Sequence, residues 1–546
     1  MNSSSLFRAF LGRSGVLRAL VPLLVILGLI VCNAVAIWHP GWLWADLLLL
    51  PLAAIGVRDV LQPKHSLMRN YPITAHVRWL SEELRPYLRA YIVESDLEGS
   101  PFSLDQRRTV YERAKGDKDE HPFGTELDVY SSEYQWMVHS IAPAQTPAEP
   151  PRIRIGGPQC TQPYDASIFN ISAMSFGSLS AKAIEALNLG AAQGGFYHDT
   201  GEGSVSPYHR KHGGDLVWEL GSGYFGCRDK DGRFDPERFR AAACDPQVKM
   251  VEIKLSQGAK PGHGGMLPGP KVSPEIAETR GVPVGVDCIS PAGHSAFSTP
   301  RQMIGFAAQL RDLSGGKPVG IKLCVGHPHE VMAIMKAMIA SGVYLDYIVV
   351  DGAEGGTGAA PVELSDHAGM PLTEGLIFMR NALVGAGLKD RIKLGASGKI
   401  YSGEGIAAAC AMGADWANAA RPFMFALGCV QSMRCHLDTC PTGIATQDLG
   451  RQRGLVVEDK AQRVARFHSK TVEAAMGLAA VVGVDQLGDL RPYHLYHRVT
   501  PTEARTIDNI YPFIGAGDLI SDADATPYAQ WWNAADPDSF RPRILS

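Results

Sequence analysis

Two hydrophobic textures divide the chain. Residues 16–38 are almost uninterruptedly apolar, and after the turn-forming His39-Pro40-Gly41 a second apolar stretch covers 42–57, broken by Asp46 and Pro51. The first is long enough to span ~30 Å of hydrocarbon as a helix, and the second is marginal by the same test. From Ser167 onward, short β-branched runs alternate with Ala-rich stretches of helical period, the mark of repeated βα units. Eight such runs occur, at 167–174, 195–199, 249–255, 282–289, 319–325, 344–350, 392–396 and 415–420. Eight strands predict an α/β fold, a closed (β/α)8 barrel of the TIM type. Residues 62–165 between the two textures are polar, Arg-rich and broken by Pro, with a helical stretch at 75–92. The expected organisation is a transmembrane hairpin at 1–61, a helical linker or collar at 62–165, the barrel at 166–450 and a C-terminal helical extension at 451–546.

Charge orients the hairpin. Arg8, Arg13 and Arg18 precede the first stretch, and Arg58, Lys64, Arg69 and Arg78 follow the second. The positive-inside rule then keeps both ends in the cytoplasm, with Trp38, Trp42 and Trp44 near the far interface. The expected location is the inner (cytoplasmic) membrane with the barrel facing the cytoplasm. A signal-peptidase site at Ala34-Val35-Ala36 is the competing reading. A net charge of -4 offers no basic field for a nucleic-acid backbone. Ten cysteines in 546 residues are too sparse for a disulfide scaffold.

Barrel enzymes place their chemistry at the C-terminal ends of strands, so the polar segments there are the candidates. The first run leads into Ala173-Met174-Ser175-Phe176-Gly177-Ser178, small enough to let a planar ring lie against backbone. The second delivers Glu202 between Gly201 and Gly203, placed to handle a proton, hold an amine or cap the next helix. The run at 249–255 opens into a glycine-rich loop where Lys254, Lys260 and His263 suit an anionic substrate or a reduced flavin. Arg280 adds a carboxylate fork. Asp351 begins a glycine nest through Gly355, Gly356 and Thr357, of the kind that attracts anions. Gly395-Ala396-Ser397-Gly398 and Arg421 follow the last two runs, where barrels build phosphate sites. Beyond them come Cys429, Cys435 and Cys440-Pro441. Iron–sulfur ligation and a zinc site completed by His436 both fit; the lack of paired Cys-x2-Cys knuckles favours the cluster.

In order and spacing these segments resemble the flavin-binding synthase domain of glutamate synthase. The resemblance covers roughly 167–448, through Ile171-Ser-Ala-Met-Ser-Phe-Gly-Ser-Leu-Ser180, Gln257-Gly-Ala-Lys-Pro-Gly262, the Asp351–Ala359 nest and Cys440-Pro-Thr-Gly-Ile-Ala-Thr-Gln447. It implies FMN, held by Met174, Ser175, Gln257, Lys322, Asp351, Gly355, Gly356, Thr357, Gly395, Ser397, Gly398 and Arg421. It also implies a [3Fe–4S] cluster on Cys429, Cys435 and Cys440. The implied reaction is hydride delivery to 2-iminoglutarate, formed from 2-oxoglutarate and ammonia. Glu202 and Lys260 would be catalytic, and Lys260, Arg280 and His263 would bind the anionic substrate. Two departures stand out: His263 and Met266 replace the family's Glu and Gln, and the phosphate loop reads Ala396-Ser-Gly-Lys399 in place of Ala-Asp-Gly-Gly. No glutamine-hydrolysing domain or dinucleotide fingerprint is recognised, so electrons are expected from a ferredoxin-like or membrane donor. One alternative is a membrane-associated flavin and iron–sulfur electron-transfer component that turns over no small molecule. Another is a flavin 2-hydroxy-acid oxidase using His263 or His294.

Overall fold

The computed structural model describes residues 20–543. Arg8, Arg13, Arg18 and the start of the first apolar stretch lie outside the described residues. The chain divides into two compact units, Met1–Ser100 and Pro101–Ser546, a boundary that falls inside the expected 62–165 linker.

In the first unit, helix α1 (Leu20–Ala36) turns through a 3-10 segment, Pro40–Ala45, into α2 (Asp46–Leu61). The two are antiparallel: Asn33 donates to Asp46 at 2.9 Å, Gly28 faces Leu49, and Gly56 faces Pro22. The flaws that made 42–57 marginal are both absorbed. Asp46 sits in the first turn of α2, where a carboxylate suits the helix dipole, and the helix runs on through Pro51. Among the described residues Pro40–Leu61 is therefore the helical stretch long and apolar enough to cross a membrane, whereas the described part of the first has 17 residues. The start of the first span, 16–19, lies outside the described residues. Leu24, Leu27, Ile30, Leu47 and Leu48 all point outward from the pair. At its foot Asp59 is buried, accepting from the Ile73 amide at 3.0 Å and from His76 at 2.9 Å. Helix α3 (His76–Leu88) and the π-turn Arg89–Val93 then match the predicted 75–92 stretch.

The second unit is built on eight strands: β1 (Phe169–Ile171), β2 (His198–Asp199), β3 (Leu216–Leu220), β4 (Val248–Lys254), β5 (Val319–Leu323), β6 (Tyr347–Asp351), β7 (Lys393–Ser397) and β8 (Trp416–Ala419). All neighbours are parallel and β8 pairs with β1, closing the barrel. The count of eight holds, but one member is exchanged. Residues 282–289 are not a barrel strand: Pro283 and Gly285 break the run, Val284 and Val286 are exposed, and only Cys288–Ile289 pairs, with Met266–Leu267. The missing strand is β3, Leu-Val-Trp-Glu-Leu, entirely buried, whose Glu219 disguises it as amphipathic.

The barrel interior is layered by the two-residue period of its strands. Tyr197, Val217, Met250, Tyr347, Val349 and Trp416 fill the lower layer, which an antiparallel ribbon, Arg152–Ile155 with Tyr164–Ser167, plugs with Ile155, Tyr164 and Ala166. Gly320 and Gly395 make room for the two largest rings: a Cβ on either would lie 2.5 or 2.6 Å from Tyr347 or Trp416. One pleat further along stand Asp199, Glu219, Glu252, Lys322 and Asn418, all buried.

Outside the strands, α4 (Leu104–Lys115), α5 (Ala181–Gly194), α6 (Arg421–Leu427) and the long α7 (Val457–Val482) cover one flank. The linker and the C-terminal extension are not purely helical. Gln135–Met137, Leu495–Thr500 and Glu503–Thr506 form an antiparallel sheet, and because only Leu495 and Thr506 among them are buried, no apolar alternation announces it.

Asp346 anchors the barrel floor. Its carboxylate accepts from Arg311 at 2.9 Å and from the amides of Val319 and Gly157 at 2.8 Å, all but shielded from water. Asp346→Ala strands a buried guanidinium and is expected to cost about 3–5 kcal/mol. Denaturant unfolding followed by tryptophan fluorescence checks this, with the Arg311→Met/Asp346→Leu double variant losing less than the two single changes summed.

Candidate active site at the barrel mouth

The polar layer ends in a cluster of charges with no solvent. Lys322 on β5 is paired with Glu219 on β3 and lies 3.7 Å from Glu252 on β4. Ligand atoms of Asp199, Glu219 and Glu252 lie within 4.8 Å of one another, the spacing of a metal site, but Lys322 already supplies the cation there. Burial opposes the ammonium, yet Glu219, Glu252 and Asp199 together raise its pKa. One cation cannot neutralise three carboxylates. Burial and the neighbouring Glu219 push Asp199 up to about 7, and burial together with Asp199 raises Glu252 well above the carboxylate range.

Above this layer lies Glu202, in the turn after β2. Lys254 approaches its Oε1 at 3.4 Å, Ser290 donates to Oε2 at 3.2 Å, and its side chain is 13% exposed. Burial alone would raise its pKa; Lys254, Arg280 and Lys260 outweigh that and hold it below the ordinary value. Glu202 is therefore a carboxylate near neutral pH, an acceptor of N–H bonds. Lys260, whose pKa burial lowers, donates to the Ala359 carbonyl at 3.2 Å and so ties the lysine loop to the glycine nest. Gln257 lies in the same loop, and the neighbouring Gly258 amide donates to Asp351 at 2.8 Å. Gly258 has to be glycine, since a Cβ would strike the Gly352 carbonyl. Met174 and Ser175 border the cluster through Gly201, whose Cβ would lie 2.8 Å from the Ser175 amide.

Arg280 is buried rather than open. It donates to the Phe176 carbonyl at 2.9 Å and stacks over Phe225 at 5.3 Å, while its Nε has no partner among the described residues. His263 is exposed, and Met266 is 45% exposed on the hairpin opposite Ile289. Among the described residues neither side chain hydrogen-bonds into the carboxylate–lysine cluster, although the His263 amide donates to the Lys260 carbonyl at 3.3 Å. On the other side of the mouth, Arg421 lies against Gly356 and donates to the Thr357 carbonyl, making a cationic wall beside Gly355 and the nest. Ser397 is in register with Asp351, and Gly398 abuts Leu372. Gly395 lies deeper, under Trp416, and is a packing glycine.

The same arginine reaches the cysteine loop, 3.6 Å from Cys435 Sγ. Gln431, Met433 and Asp438 all take left-handed backbone, a costly conformation sustained by outside contacts. Gln431 is clasped by Phe102, Tyr111 donates to the Cys429 carbonyl at 2.6 Å, and Asp438 accepts from the Gln447 amide at 2.7 Å. Burial pushes the Cys429 thiol up to about 11. Around Cys440, the Thr442 hydroxyl and the amides of Ala445, Thr442 and Ile444 outweigh burial and lower the thiol. Sequence reasoning missed Glu219, Glu252, Ser290 and Tyr111. Only Glu252 left a signal, a carboxylate inside the strand read at 249–255.

A family model described as the conserved region in glutamate synthase matches residues 158–485, which contain the barrel, the lysine loop and all three cysteines. This chain belongs to the glutamate synthase family. The glutamate synthase large subunit-like protein YerD of Bacillus subtilis is 35% identical over 499 residues, 84% of this chain and 94% of that one. An archaeal glutamate synthase [NADPH] of Archaeoglobus fulgidus is 34% identical over 320 residues, 58% of this chain and 59% of the relative. Likeness to solved structures is remote, as with lactate oxidase of Pediococcus acidilactici, 13% identical with a TM-score of 0.40 over 72% of this chain and 93% of that one. By its kinship the protein is a glutamate synthase-like oxidoreductase.

The raised Asp199 has a signed consequence. Between about pH 4 and 7 the folded protein holds a proton there that the unfolded chain has released, so this group makes stability fall as pH rises through that window. Asp199→Asn keeps the acceptor for the Gly201 amide and removes the titration. Its unfolding midpoint relative to the parent should improve from pH 5 to pH 7.5; an unchanged difference would place the proton elsewhere.

Proposed function

We propose that this protein is an FMN- and iron–sulfur-dependent oxidoreductase that reduces an anionic imine or carbonyl, with 2-iminoglutarate, from 2-oxoglutarate and ammonia, as its foremost candidate substrate. The observation that carries the reading is the convergence of an ionised Glu202 with Lys254, Lys260 and Arg280, within one barrel mouth that also holds a glycine nest and a cysteine loop.

The residues fit FMN chemically. Gly258 and Gly201 bring their loops against the backbone of Gly352 and Ser175, Lys322 places its charge at the end of β5, and Arg421 with Gly355, Gly356 and Thr357 offers an anion-compatible end. Bound FMN would supply hydride, and the cluster would pass single electrons to it from a protein donor. Within the chain, Lys260 neutralises the substrate carboxylate, and Glu202 accepts N–H bonds from ammonia or an iminium and orients it. Arg280 braces the Phe176 turn and keeps its Nε for the substrate. Iron–sulfur over zinc is supported by the sequence spacing of Cys429, Cys435 and Cys440, which lacks the paired Cys-x2-Cys knuckles of structural zinc. The outward-facing leucines of α1 and α2 support anchorage in the cytoplasmic membrane, with electrons coming from a ferredoxin-like or membrane donor.

Anaerobically reduced protein is expected to be reoxidised by 2-oxoglutarate with ammonium. Lys260→Met should slow this about 100-fold without loss of flavin, the weight of one charge-assisted contact. Met266→Gln should raise turnover of 2-oxoglutarate by restoring an amide donor. Reoxidation by a protein acceptor alone, with no oxoacid active, would replace this reading by that of an electron-transfer component.

Anchorage has its own test: the full chain should sediment with membranes, resist a carbonate wash and be released by detergent. Recovery in the soluble fraction would remove it.

A further inference from the structure

Lys271 belongs to none of the motifs above. It ends the 3-10 turn Gly269–Lys271 after the Met266–Leu267 strand, and it is 3% exposed. Its ammonium reaches beneath the cysteine loop and donates to the carbonyls of Cys435 at 3.3 Å, Ala445 at 3.4 Å and Ser178 at 3.2 Å. All three acceptors are neutral. Withdrawing an ammonium from water is costly unless a negative charge faces it, and carbonyl dipoles repay only part of that. Asp438 is already engaged by the Gln447 amide. The ammonium meets the backbone of Cys435, one of the three thiol-bearing residues of that loop.

The three acceptors also belong to two different elements. Ser178 lies in the turn after β1, beside Met174 and Ser175, while Cys435 and Ala445 lie in the cysteine loop. Gln447 makes the same crossing, donating to the carbonyls of Gly177 at 2.9 Å and Leu179 at 3.2 Å. Lys271 is therefore a strut as well as a charge.

We infer that Lys271 is a positioning residue and the resident countercharge of the three-cysteine site, clamping the cysteine loop to the turn after β1 and raising the electron affinity of the cluster bound there. The inference rests on the iron–sulfur reading proposed above. A [3Fe–4S] cluster on three thiolates is anionic when oxidised and gains one further negative charge when an external donor reduces it. A fixed cation beside it favours the reduced form.

The test is a redox titration of the full-length protein, purified anaerobically, that follows the cluster by spin resonance and the flavin by absorbance, with iron, sulfide and zinc analysis. Lys271→Gln keeps hydrogen-bond donors and loses the charge, and Lys271→Arg keeps the charge. K271Q should lower the cluster's electron affinity at least tenfold, about 59 mV for one electron, and move the flavin midpoint less. K271R should stay near the unsubstituted value. Iron lost from K271Q but retained by K271R would also support the countercharge. K271Q holding its cluster at the unsubstituted midpoint, or both variants losing iron alike, would overturn it. Zinc in place of iron in the unsubstituted protein would overturn the iron–sulfur reading and this inference with it, and is told apart because it precedes any substitution.

Discussion

Closing eight parallel strands leaves an interior that side chains must fill, and here its upper half is filled with charge. Lys322 is enclosed by Glu219, Glu252 and Asp199, each nearly without solvent. An ammonium alone in that space would be prohibitive, and so would the carboxylates. Together they are tolerated because the lysine is paired and Asp199 and Glu252 are pushed toward their protonated forms. The strands that carry these groups are fixed by the need to keep them in register, which in turn sets the positions of the loops at the barrel mouth.

The two layers divide the labour of the barrel. Below, aromatic and aliphatic side chains pack against the ribbon plug, with Asp346 tying floor to strand. Above, one pleat along the same strands, Tyr197 gives way to Asp199, Val217 to Glu219, Met250 to Glu252, and Val349 to Asp351. Stability is concentrated at one end and chemistry at the other, as the strand direction of such barrels dictates. Glu202 is kept ionised by lysines that would themselves repel one another without it. The lysine loop, the nest and the cysteine loop are joined by side chains that cross between them: Lys260 to Ala359, Arg421 to Thr357 and to Cys435, Lys271 to Ser178 and to Cys435. A site assembled from three loops has little geometry of its own, and these crossings supply it.

Much of this was legible in the chain alone, and the reason is locality. Glycine spacing, the cysteine spacing and the β-branched runs report on backbone that neighbours in sequence determine, so the barrel class, Glu202, Lys260, the nest and the three cysteines could be named from residue order. The apolar hairpin was legible as well, although helix continuity through Pro51 and the placing of Asp46 against Asn33 were not.

What only the tertiary structure decided depends on groups far apart in sequence. Residues 282–289 read as a strand by alternation, yet nothing in the barrel offers them a partner, while β3 hides a buried Glu219 that makes sense only opposite Lys322. Arg280 reads as an open carboxylate fork, and Lys271 lies in none of the motifs. Folding buries both, one against the Phe176 carbonyl and one under the cysteine loop. Burial and pairing are properties of the assembled molecule, because the dielectric around a charge is set by whatever the whole chain brings to it.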